Sequence, residues 1–295
     1  MLTTVFTPSY NRASYLKILF ESLQGQTNKD FEWILVDDGS TDNTEEVAEE
    51  FKKQAIFPFF YFKKENGGKH TAINFGIKHA KGEMWFMVDS DDYLGTNAIQ
   101  MINDYYPEIK YNDKMAGITF LRHHTNGKIV GTQNNPHKIV VDYCSYRNIY
   151  KIIGDRVEIV KTNVMKEFPF PEYPGERHCP EGLIWNRIAK EYDSLYIANN
   201  EPVYYCEYLP DGLSHGGFTC PNGRMDYMNE WTVMKNTSFI QKVKCFAKYW
   251  NQSFIAGIGF RKAYKRLMTK WGVIAYPLGI YILCKRKIQK KFNAV

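Results

Sequence analysis

Apolar runs and helix-like segments alternate along the first hundred residues of the chain. The run LTTVFTPSYN is typical of a strand that ends in proline and polar residues. In the next run, RASYLKILFESLQGQT, Leu16, Leu19, Phe20 and Leu23 would share one face of a helix. The runs FEWILVDD, FPFFYFK and MWFMVDSDD repeat the strand pattern, with helical segments between them. This alternation predicts an α/β fold with a Rossmann-like, mostly parallel sheet and helices on both faces.

Polar clusters follow each of these four predicted strands. They read TPSYNR, DDGSTD, ENGGK and DSDD in chain order. The carboxyl ends of parallel strands meet at one edge of a sheet, and ligands bind outside that edge. The sequence therefore predicts one ligand site that is built from all four clusters.

The pattern becomes mixed after Leu94. One helix, strand-like runs such as AGITFLR and a proline-rich stretch extend to about residue 222, and helices rich in Lys and Arg follow. We therefore expect three segments, which are residues 1–100, 101–222 and 223–295.

Composition predicts a folded intracellular protein. The 295 residues are 44% hydrophobic and 24% charged, which is ordinary for a globular chain. Six cysteines form no CxxC pair and no zinc-finger spacing, and no signal peptide precedes the first predicted strand. These features favour free thiols in a reducing cytoplasm.

Charge is concentrated near the C-terminus. The chain has a formal net charge of +6, and residues 261–291 are dense in Lys and Arg but contain no Asp or Glu. These residues flank the apolar run WGVIAYPLGIYILC, which is too short to span a bilayer and contains Pro277 and Gly279. A peripheral contact with an anionic membrane surface fits better than nucleic acid. A helix that packs on the main domain, or one that mediates dimerisation, remains the alternative.

Three carboxylates crowd the end of the fourth predicted strand, at Asp89, Asp91 and Asp92. Their mutual repulsion costs free energy unless a cation or wide solvation offsets it. In an extended segment Asp89 and Asp91 would point the same way and Ser90 would point away. Hard cations such as Mg²⁺ prefer oxygen ligands, so this pair is a candidate metal site. A solvated turn is the alternative, and Asp92 would equally suit a helix cap.

The four clusters together resemble the pattern of glycosyltransferase family 2, whose members have a GT-A fold. The residues that carry the resemblance are FTPSYNR, LVDDGSTDNT, NGGK and VDSDD, in the family's order and spacing. The resemblance implies an inverting transfer of a sugar from a UDP-sugar to an acceptor hydroxyl, with Mn²⁺ or Mg²⁺ as cofactor. It also implies a role in bacterial polysaccharide, capsule or lipopolysaccharide synthesis on a saccharide or lipid-linked saccharide acceptor. The basic, apolar C-terminal segment adds the expectation that this occurs at the cytoplasmic face of the plasma membrane.

The resemblance also implies a function for each segment. Residues 1–100 would be the nucleotide-sugar-binding half of one GT-A domain, and residues 101–222 its acceptor-binding half. Residues 223–295 would be a basic helical extension.

The same resemblance implies roles for the acidic residues. Asp91 would bind the metal, and Asp89 would reach the ribose, or the metal through water. Asp38 would accept a hydrogen bond from the uracil ring or be only a cap or turn residue, whereas Asp37 would be structural. His215, in PDGLSHGG, would be a third metal ligand or an ordinary loop histidine.

Further nucleotide contacts are implied in the first and third clusters. Thr7 and Pro8 would line the base and ribose pocket. Tyr10 would stack on uracil or serve as an ordinary half-buried aromatic. Arg12 would meet phosphate or Asp38, and Lys69 would lie near the diphosphate or the donor sugar.

The catalytic base is expected in HCPEGLIWNR, where relatives have an acidic pair. Glu181 matches the first acid, but Gly182 replaces the second, so Glu176 and Asp211 are reserve candidates. The alternative is that Glu181 lies in the first turn of a helix and only interacts favourably with the helix dipole. Trp185 would stack on an acceptor sugar or belong to the core.

Two other functions remain open from the sequence. A sugar nucleotidyltransferase usually carries a Gly-rich basic loop after its first strand, and TPSYNR does not resemble one. A module that binds sugar nucleotides without catalysis is the second alternative, because Gly182 removes one expected acid.

Overall fold

The structure is a computed structural model that describes residues 1–133, 136–199, 201–208 and 219–292, the last seven of these by their backbone alone. The strands are β1 Thr3–Ser9, β2 Phe31–Asp37, β3 Phe59–Lys63, β4 Met84–Met87, β5 Tyr93–Leu94, β6 Met115–Leu121, β7 His123–His124, β8 Lys138–Val141, β9 Arg156–Lys161, β10 Asp193–Ile197 and β11 Tyr204–Cys206.

The helices flank these strands and then continue to the end of the described chain. They are α1 Ala13–Gln24, α2 Thr44–Gln54, α3 Lys69–Gly76, α4 Ala98–Ile109, α5 Tyr143–Ile149, α6 Thr162–Glu167, α7 Gly182–Ile188, α8 Pro221–Val233, α9 Phe239–Ile255, α10 Phe260–Arg266 and α11 Tyr276–Phe292, with a 3₁₀ helix at Lys270–Ala275.

A central sheet of eight strands organises the fold, in the order β3-β2-β1-β4-β9-β6-β10-β8. β1 pairs in parallel with both β2 and β4, and β2 pairs in parallel with β3. β9 lies antiparallel between β4 and β6, and β8 lies antiparallel at the far edge. β6 and β10 pair in parallel, so the predicted mostly parallel α/β sheet is confirmed.

Helices cover both faces of this sheet because its buried strands alternate their apolar side chains. On β1, Val5 joins a core with α1, α2 and α4, and its neighbour Phe6 joins a core with α3, α6 and α7. A small sheet in the order β5-β11-β7 lies beside the carboxyl end of β4. The helices on the two faces therefore leave the ends of the strands as the accessible edge of the sheet.

The C-terminal helices form a core of their own. Met225 of α8 packs with Phe246, Tyr249 and Trp250 of α9 and with Ala263 of α10. α8 also packs against α7, which joins this core to the sheet. Within the described residues, no helix is both long and apolar enough to cross a bilayer.

The sheet draws strands from both of the first two predicted segments. β1 to β4 come from residues 1–100, and β6, β8, β9 and β10 come from residues 101–222. The functional division of the chain into these segments stays a prediction.

Candidate active site

A cavity of about 760 Å³ opens at the carboxyl ends of the parallel strands. It gathers residues from all four polar clusters and from the proline-rich stretch before α7. The predicted site residues that line it are Pro8, Tyr10, Arg12, Asp38, Lys69, Asp89, Asp91, Glu181 and Trp185.

The acidic cluster forms a turn and not an extended segment. The backbone N–H of Asp92 donates to the carbonyl of Asp89 at 3.2 Å, directly after β4 ends at Met87. Ser90 and the three aspartates all contribute to the lining of the cavity, and the expectation of an extended segment here is wrong. The turn brings Asp89 and Asp91 together at the cavity, whereas Asp92 is buried.

Asp89 contacts two cationic side chains. Its Oδ1 lies 2.5 Å from Lys69 Nζ, and its Oδ2 lies 3.4 Å from Arg122 Nη2. Burial raises the pKa of Asp89, but the two cations outweigh burial and hold that pKa below its usual value. Asp89 is therefore a carboxylate whose charge is compensated within the protein.

Lys69 bridges two parts of the cavity that are distant in sequence. Its Nζ contacts Glu181 Oε1 at 2.6 Å as well as Asp89. Burial lowers the pKa of Lys69, but the two carboxylates raise it above its usual value. Lys69 begins α3 after Gly68, which has φ of 96°. A Cβ at Gly68 would lie 2.0 Å from the Arg177 carbonyl oxygen, so only glycine fits there.

Asp91 differs from its neighbours. It lines the cavity, and among the described residues no ion pair to its carboxylate is found. Burial, followed by the charge of Asp89, raises the pKa of Asp91, so its negative charge is less well stabilised by the protein than that of Asp89. Such a carboxylate fits a divalent cation that takes its other ligands from phosphate and water.

Protein ligands alone do not complete such a site. In the described part of the chain, no group of three or more His, Cys, Asp or Glu side chains is arranged to hold a metal. The predicted third ligand, His215, lies outside the described residues, as does the reserve base Asp211.

Asp92 belongs to a buried network behind the turn. Its Oδ2 accepts hydrogen bonds from Arg122 Nη2 and from the Tyr204 hydroxyl, both at 2.6 Å. The Arg122 guanidinium also lies over the Tyr204 ring, 4.5 Å from its centroid. The expectation of a helix cap is wrong, because β5 follows Asp92 and α4 begins only at Ala98.

Asp38 holds the glycine loop that precedes α3. Its carboxylate accepts from the backbone N–H groups of Gly67 at 3.0 Å and Gly68 at 2.6 Å, and from Lys64 Nζ at 2.6 Å. Asp37 is buried and accepts from Ser40 and Tyr61, as expected of a structural residue. Asp38 thus lines the cavity while it already serves three donors.

The first strand contributes backbone turns and exposed side chains. Thr7 does not line the cavity, because its buried hydroxyl accepts from the Trp33 indole at 3.0 Å. Tyr10 is 45% exposed, and the Arg12 guanidinium lies 5.3 Å from the centre of the Tyr15 ring. Pro8, Tyr10 and Arg12 therefore line the cavity as expected, whereas the expectation that Thr7 lines it is wrong.

Glu181 lies in the cavity close to residues with aromatic rings. Glu181 directly precedes α7, and its side chain is 32% exposed. A Cβ at Gly182 would lie 2.9 Å from Cε2 of Tyr227, a residue of α8 that also lines the cavity. Trp185 is only 8% exposed and contributes to both the cavity and the core.

The reserve base Glu176 has a structural position. Its carboxylate accepts from the backbone N–H groups of Asn222 at 2.7 Å and Gly223 at 3.0 Å, in the first turn of α8. These are helix N-terminal donors that would otherwise lack partners. Glu176 thereby ties α8 to the proline-rich stretch.

Several cavity residues carry no motif in the sequence. Arg147 lies over the Tyr143 ring at 4.5 Å from its centroid and lies 3.9 Å from Glu158. Burial raises the pKa of Glu158 to about 7 despite Arg147. Arg122 was also missed, although its position directly after β6 is the same strand-end signal as in the first four strands.

The family comparison matches the part of the chain that forms most of this edge. Residues 4–117 match the model for glycosyl transferase family 2. This segment belongs to that family. The resemblance that the four clusters predicted is therefore confirmed.

Curated relatives match over part of the chain. The glycosyltransferase GlyG of Streptococcus pneumoniae is 39% identical over 112 residues, which are 38% of this chain and 36% of the relative. The minor teichoic acid biosynthesis protein GgaB of Bacillus subtilis is 29% identical over 156 residues, 48% of this chain and 17% of the relative. The match thus spans well under half the length of either relative.

Solved structures match the fold over nearly the whole chain. TarS 1–349 of S. aureus in complex with UDP-GlcNAc has a TM-score of 0.63 at 20% identity and covers 94% of this chain and 78% of its own. The mannosyltransferase PcManGT of Pyrobaculum calidifontis, in complex with GDP-Man and Mn²⁺, has a TM-score of 0.51 at 16% identity. This match covers 97% of this chain and 75% of PcManGT. The predicted GT-A fold is confirmed.

Proposed function

We propose that this protein is an inverting, metal-dependent glycosyltransferase that moves a sugar from a UDP-sugar to an acceptor hydroxyl. One observation carries the proposal. Lys69 links Asp89, at the end of β4, to Glu181, at the start of α7, inside one cavity. The single side chain of Lys69 thus contacts both the proposed donor-binding cluster and the candidate base.

The acidic turn supports a divalent cation, Mn²⁺ or Mg²⁺. Asp91 would hold it, with Asp89 near the ribose or in contact through water. The bound cation would stabilise the negative charge that develops on the departing diphosphate. Among the fold relatives, PcManGT was crystallised with Mn²⁺, which supports this choice of cofactor.

Glu181 is the proposed base. As the acceptor oxygen attacks the anomeric carbon, the bond from that carbon to the diphosphate oxygen breaks on the opposite side. Glu181 takes the proton that the acceptor hydroxyl loses. Its present contact with Lys69 Nζ keeps a cation beside both the carboxylate and the site of the departing diphosphate.

The nucleotide side of the cavity suits a uridine diphosphate. Pro8, Tyr10 and Arg12 would contact base and phosphate, and Asp38 would accept from the uracil N–H if that donor replaces one of its loop contacts. TarS, a fold relative, binds UDP-GlcNAc, which supports uridine, whereas PcManGT binds GDP-Man. The nucleotide base of the donor, uracil or guanine, is therefore one of the properties to be tested.

The setting we propose is bacterial cell-surface polysaccharide synthesis, at the cytoplasmic face of the plasma membrane. The relative GgaB takes part in minor teichoic acid biosynthesis, which supports a saccharide or lipid-linked saccharide acceptor. The basic C-terminal helices support a peripheral contact with that membrane.

Turnover of UDP-sugars in the presence of Mn²⁺ tests the proposal. We expect hydrolysis or transfer in the wild type, loss of activity with EDTA, and recovery when Mn²⁺ is restored. Asp91→Asn should lose at least about 100-fold in rate while its thermal unfolding stays close to that of wild type. Full activity of Asp91→Asn would reject the metal role. Pyrophosphate release from a nucleoside triphosphate would instead support a nucleotidyltransferase, and UDP-sugar binding without turnover would support an inactive module.

A further inference from the structure

The C-terminal helices expose large apolar side chains on one side. At the start of α9, Phe239 is 66% exposed and Ile240 65%. In the 3₁₀ helix and α11, Ile274 is 61% exposed and Tyr281 63%. Contiguous exposed apolar surface is uncommon on a monomeric protein unless something covers it.

These side chains belong to one surface. The Phe239 ring stacks on the Trp271 ring with centroids 5.5 Å apart, which joins α9 to the 3₁₀ helix. Further along, α9 and α11 enclose a groove of about 220 Å³. The surface, called the apolar face below, comprises Phe239, Ile240, Val243, Trp271, Ile274, Leu278 and Tyr281.

Lysines border this apolar face. Lys244 and Lys248 of α9 line the groove and are exposed. On α11, Leu278, Tyr281 and Lys285 follow one another at spacings of three and four residues, so an exposed lysine continues the same stripe. The apolar face is thus adjacent to cations along both helices.

The sequence separates its charges sharply at Glu230, the last acidic residue. Residues 231–295 contain 14 Lys and Arg and no Asp or Glu, whereas the whole chain has 38 basic and 32 acidic residues. The first 230 residues therefore have a formal net charge of −8. Within residues 231–295, a partner therefore meets only positive formal charge.

We propose that the apolar face docks on an anionic lipid bilayer. Its aromatic and aliphatic side chains would enter the boundary between headgroups and acyl chains, while Lys244, Lys248 and Lys285 would meet anionic headgroups. Trp and Tyr favour this boundary because their rings are amphipathic. The inference rests on the proposed membrane setting and gives it a specific surface.

Charge argues against a second copy of the chain as the occupant. A symmetric pair would bring two segments with no acidic residue against each other, and like charges disfavour such contact. Nucleic acid would meet the lysines, but it would leave Ile274 and Leu278 in water. A bilayer satisfies both the charge and the apolar area.

Cosedimentation of the full chain with lipid vesicles tests the proposal. We expect binding to vesicles of phosphatidylcholine that contain phosphatidylglycerol, little binding to phosphatidylcholine alone, and weaker binding as NaCl is raised. Ile274→Glu combined with Leu278→Glu should weaken binding roughly tenfold or more, because carboxylates would replace apolar groups that insert into the bilayer. Lys244→Gln combined with Lys248→Gln should weaken binding only to the anionic vesicles.

Ile56→Glu is the matched control, because Ile56 is 63% exposed but lies between α2 and β3. It should bind vesicles as the wild type does, and circular dichroism should show that all variants remain folded. Unchanged binding by the Ile274→Glu/Leu278→Glu variant would overturn the proposal. So would a dimer in ultracentrifugation that this variant disrupts, or a preference for RNA over vesicles.

Hydrolysis of UDP-sugars in vesicle-free solution separates this inference from the proposed activity. The apolar-face variants should retain that hydrolysis, since their positions lie outside the cavity. Vesicle binding without any UDP-sugar turnover would support the docking surface and reject the transferase.

Discussion

The ring of Tyr227 occupies the space that a side chain at position 182 would need. An added Cβ on Gly182 would lie 2.9 Å from Tyr227 Cε2, closer than nonbonded carbons approach. Gly182 begins α7, whereas Tyr227 belongs to α8. The missing second carboxylate beside Glu181 is therefore explained by packing against a C-terminal helix.

Gly182→Asp should destabilise the protein by about 1–3 kcal/mol, because it overpacks this contact. Tyr227→Ala should open the space, so the double variant should lose less than the sum of the two single changes. Urea unfolding of the four proteins measures the coupling. Strictly additive losses would show that the two positions do not compete for space.

Glu181→Gln should lower the transfer rate by about 100-fold to 10,000-fold, because an amide does not accept the acceptor proton. Binding of the UDP-sugar, followed by calorimetry, should change little. Glu176→Gln is the contrasting variant. It weakens the charge-assisted bonds to Asn222 and Gly223, so it should lower the melting temperature yet keep the turnover per folded molecule. Equal rate losses in both variants would contradict the assignment of the base.

Glu158→Gln should become more stable relative to wild type as pH rises. The pKa of Glu158 is raised from 4.5 to about 7 by burial, so the folded protein retains a proton that the unfolded chain has lost. Wild-type stability is therefore lost between about pH 4.5 and 7, whereas glutamine has no proton to lose.

The stability difference between the Glu158→Gln variant and wild type should grow over that range by up to about 3 kcal/mol and then level off. Chemical unfolding at a series of pH values checks this. Arg147 lies 3.9 Å from Glu158 and lowers its pKa, so in an Arg147→Met background the stability difference should keep growing to higher pH. A difference that stays constant from pH 4.5 to 7 would refute the shift.

Arg122→Met should destabilise the fold by about 3–5 kcal/mol, because it leaves the buried Asp92 carboxylate without its cation. Arg122 contacts Asp92 at 2.6 Å and Asp89 at 3.4 Å, and Asp89 would keep its contact with Lys69. Adding Asp92→Asn should restore part of the loss, since the stranded carboxylate is removed. Thermal unfolding at neutral pH is the measurement, and a double variant no more stable than Arg122→Met would argue against a shared charge network.

Local sequence patterns predicted the first half of the fold well. β1 to β4 are continuous apolar runs with polar residues at their ends, so period and position sufficed to locate both the sheet and the cavity edge. The later strands are harder to order from sequence. β9 inserts antiparallel between β4 and β6, and nothing local to Arg156–Lys161 indicates which neighbours it would have.

Cavity-lining residues that belong to a sequence motif were predicted. Those that reach the cavity only through tertiary packing were missed. Asp89, Asp91, Lys69 and Glu181 line one cavity as expected, although they come from distant parts of the chain. Thr7 faces Trp33 because a strand residue has only two faces to choose between, and motif similarity does not reveal which one is buried. Arg147, Glu158 and Tyr227 have ordinary sequence contexts, so only the folded chain brings them to the cavity.

The attachment of α8 to the cavity makes the C-terminal helices part of the cavity wall. Glu176 secures the first turn of α8, and Tyr227 from the same helix lines the cavity. Any change that shifts α8 would therefore also reshape the cavity, even if every residue at the ends of β1 to β4 stayed the same.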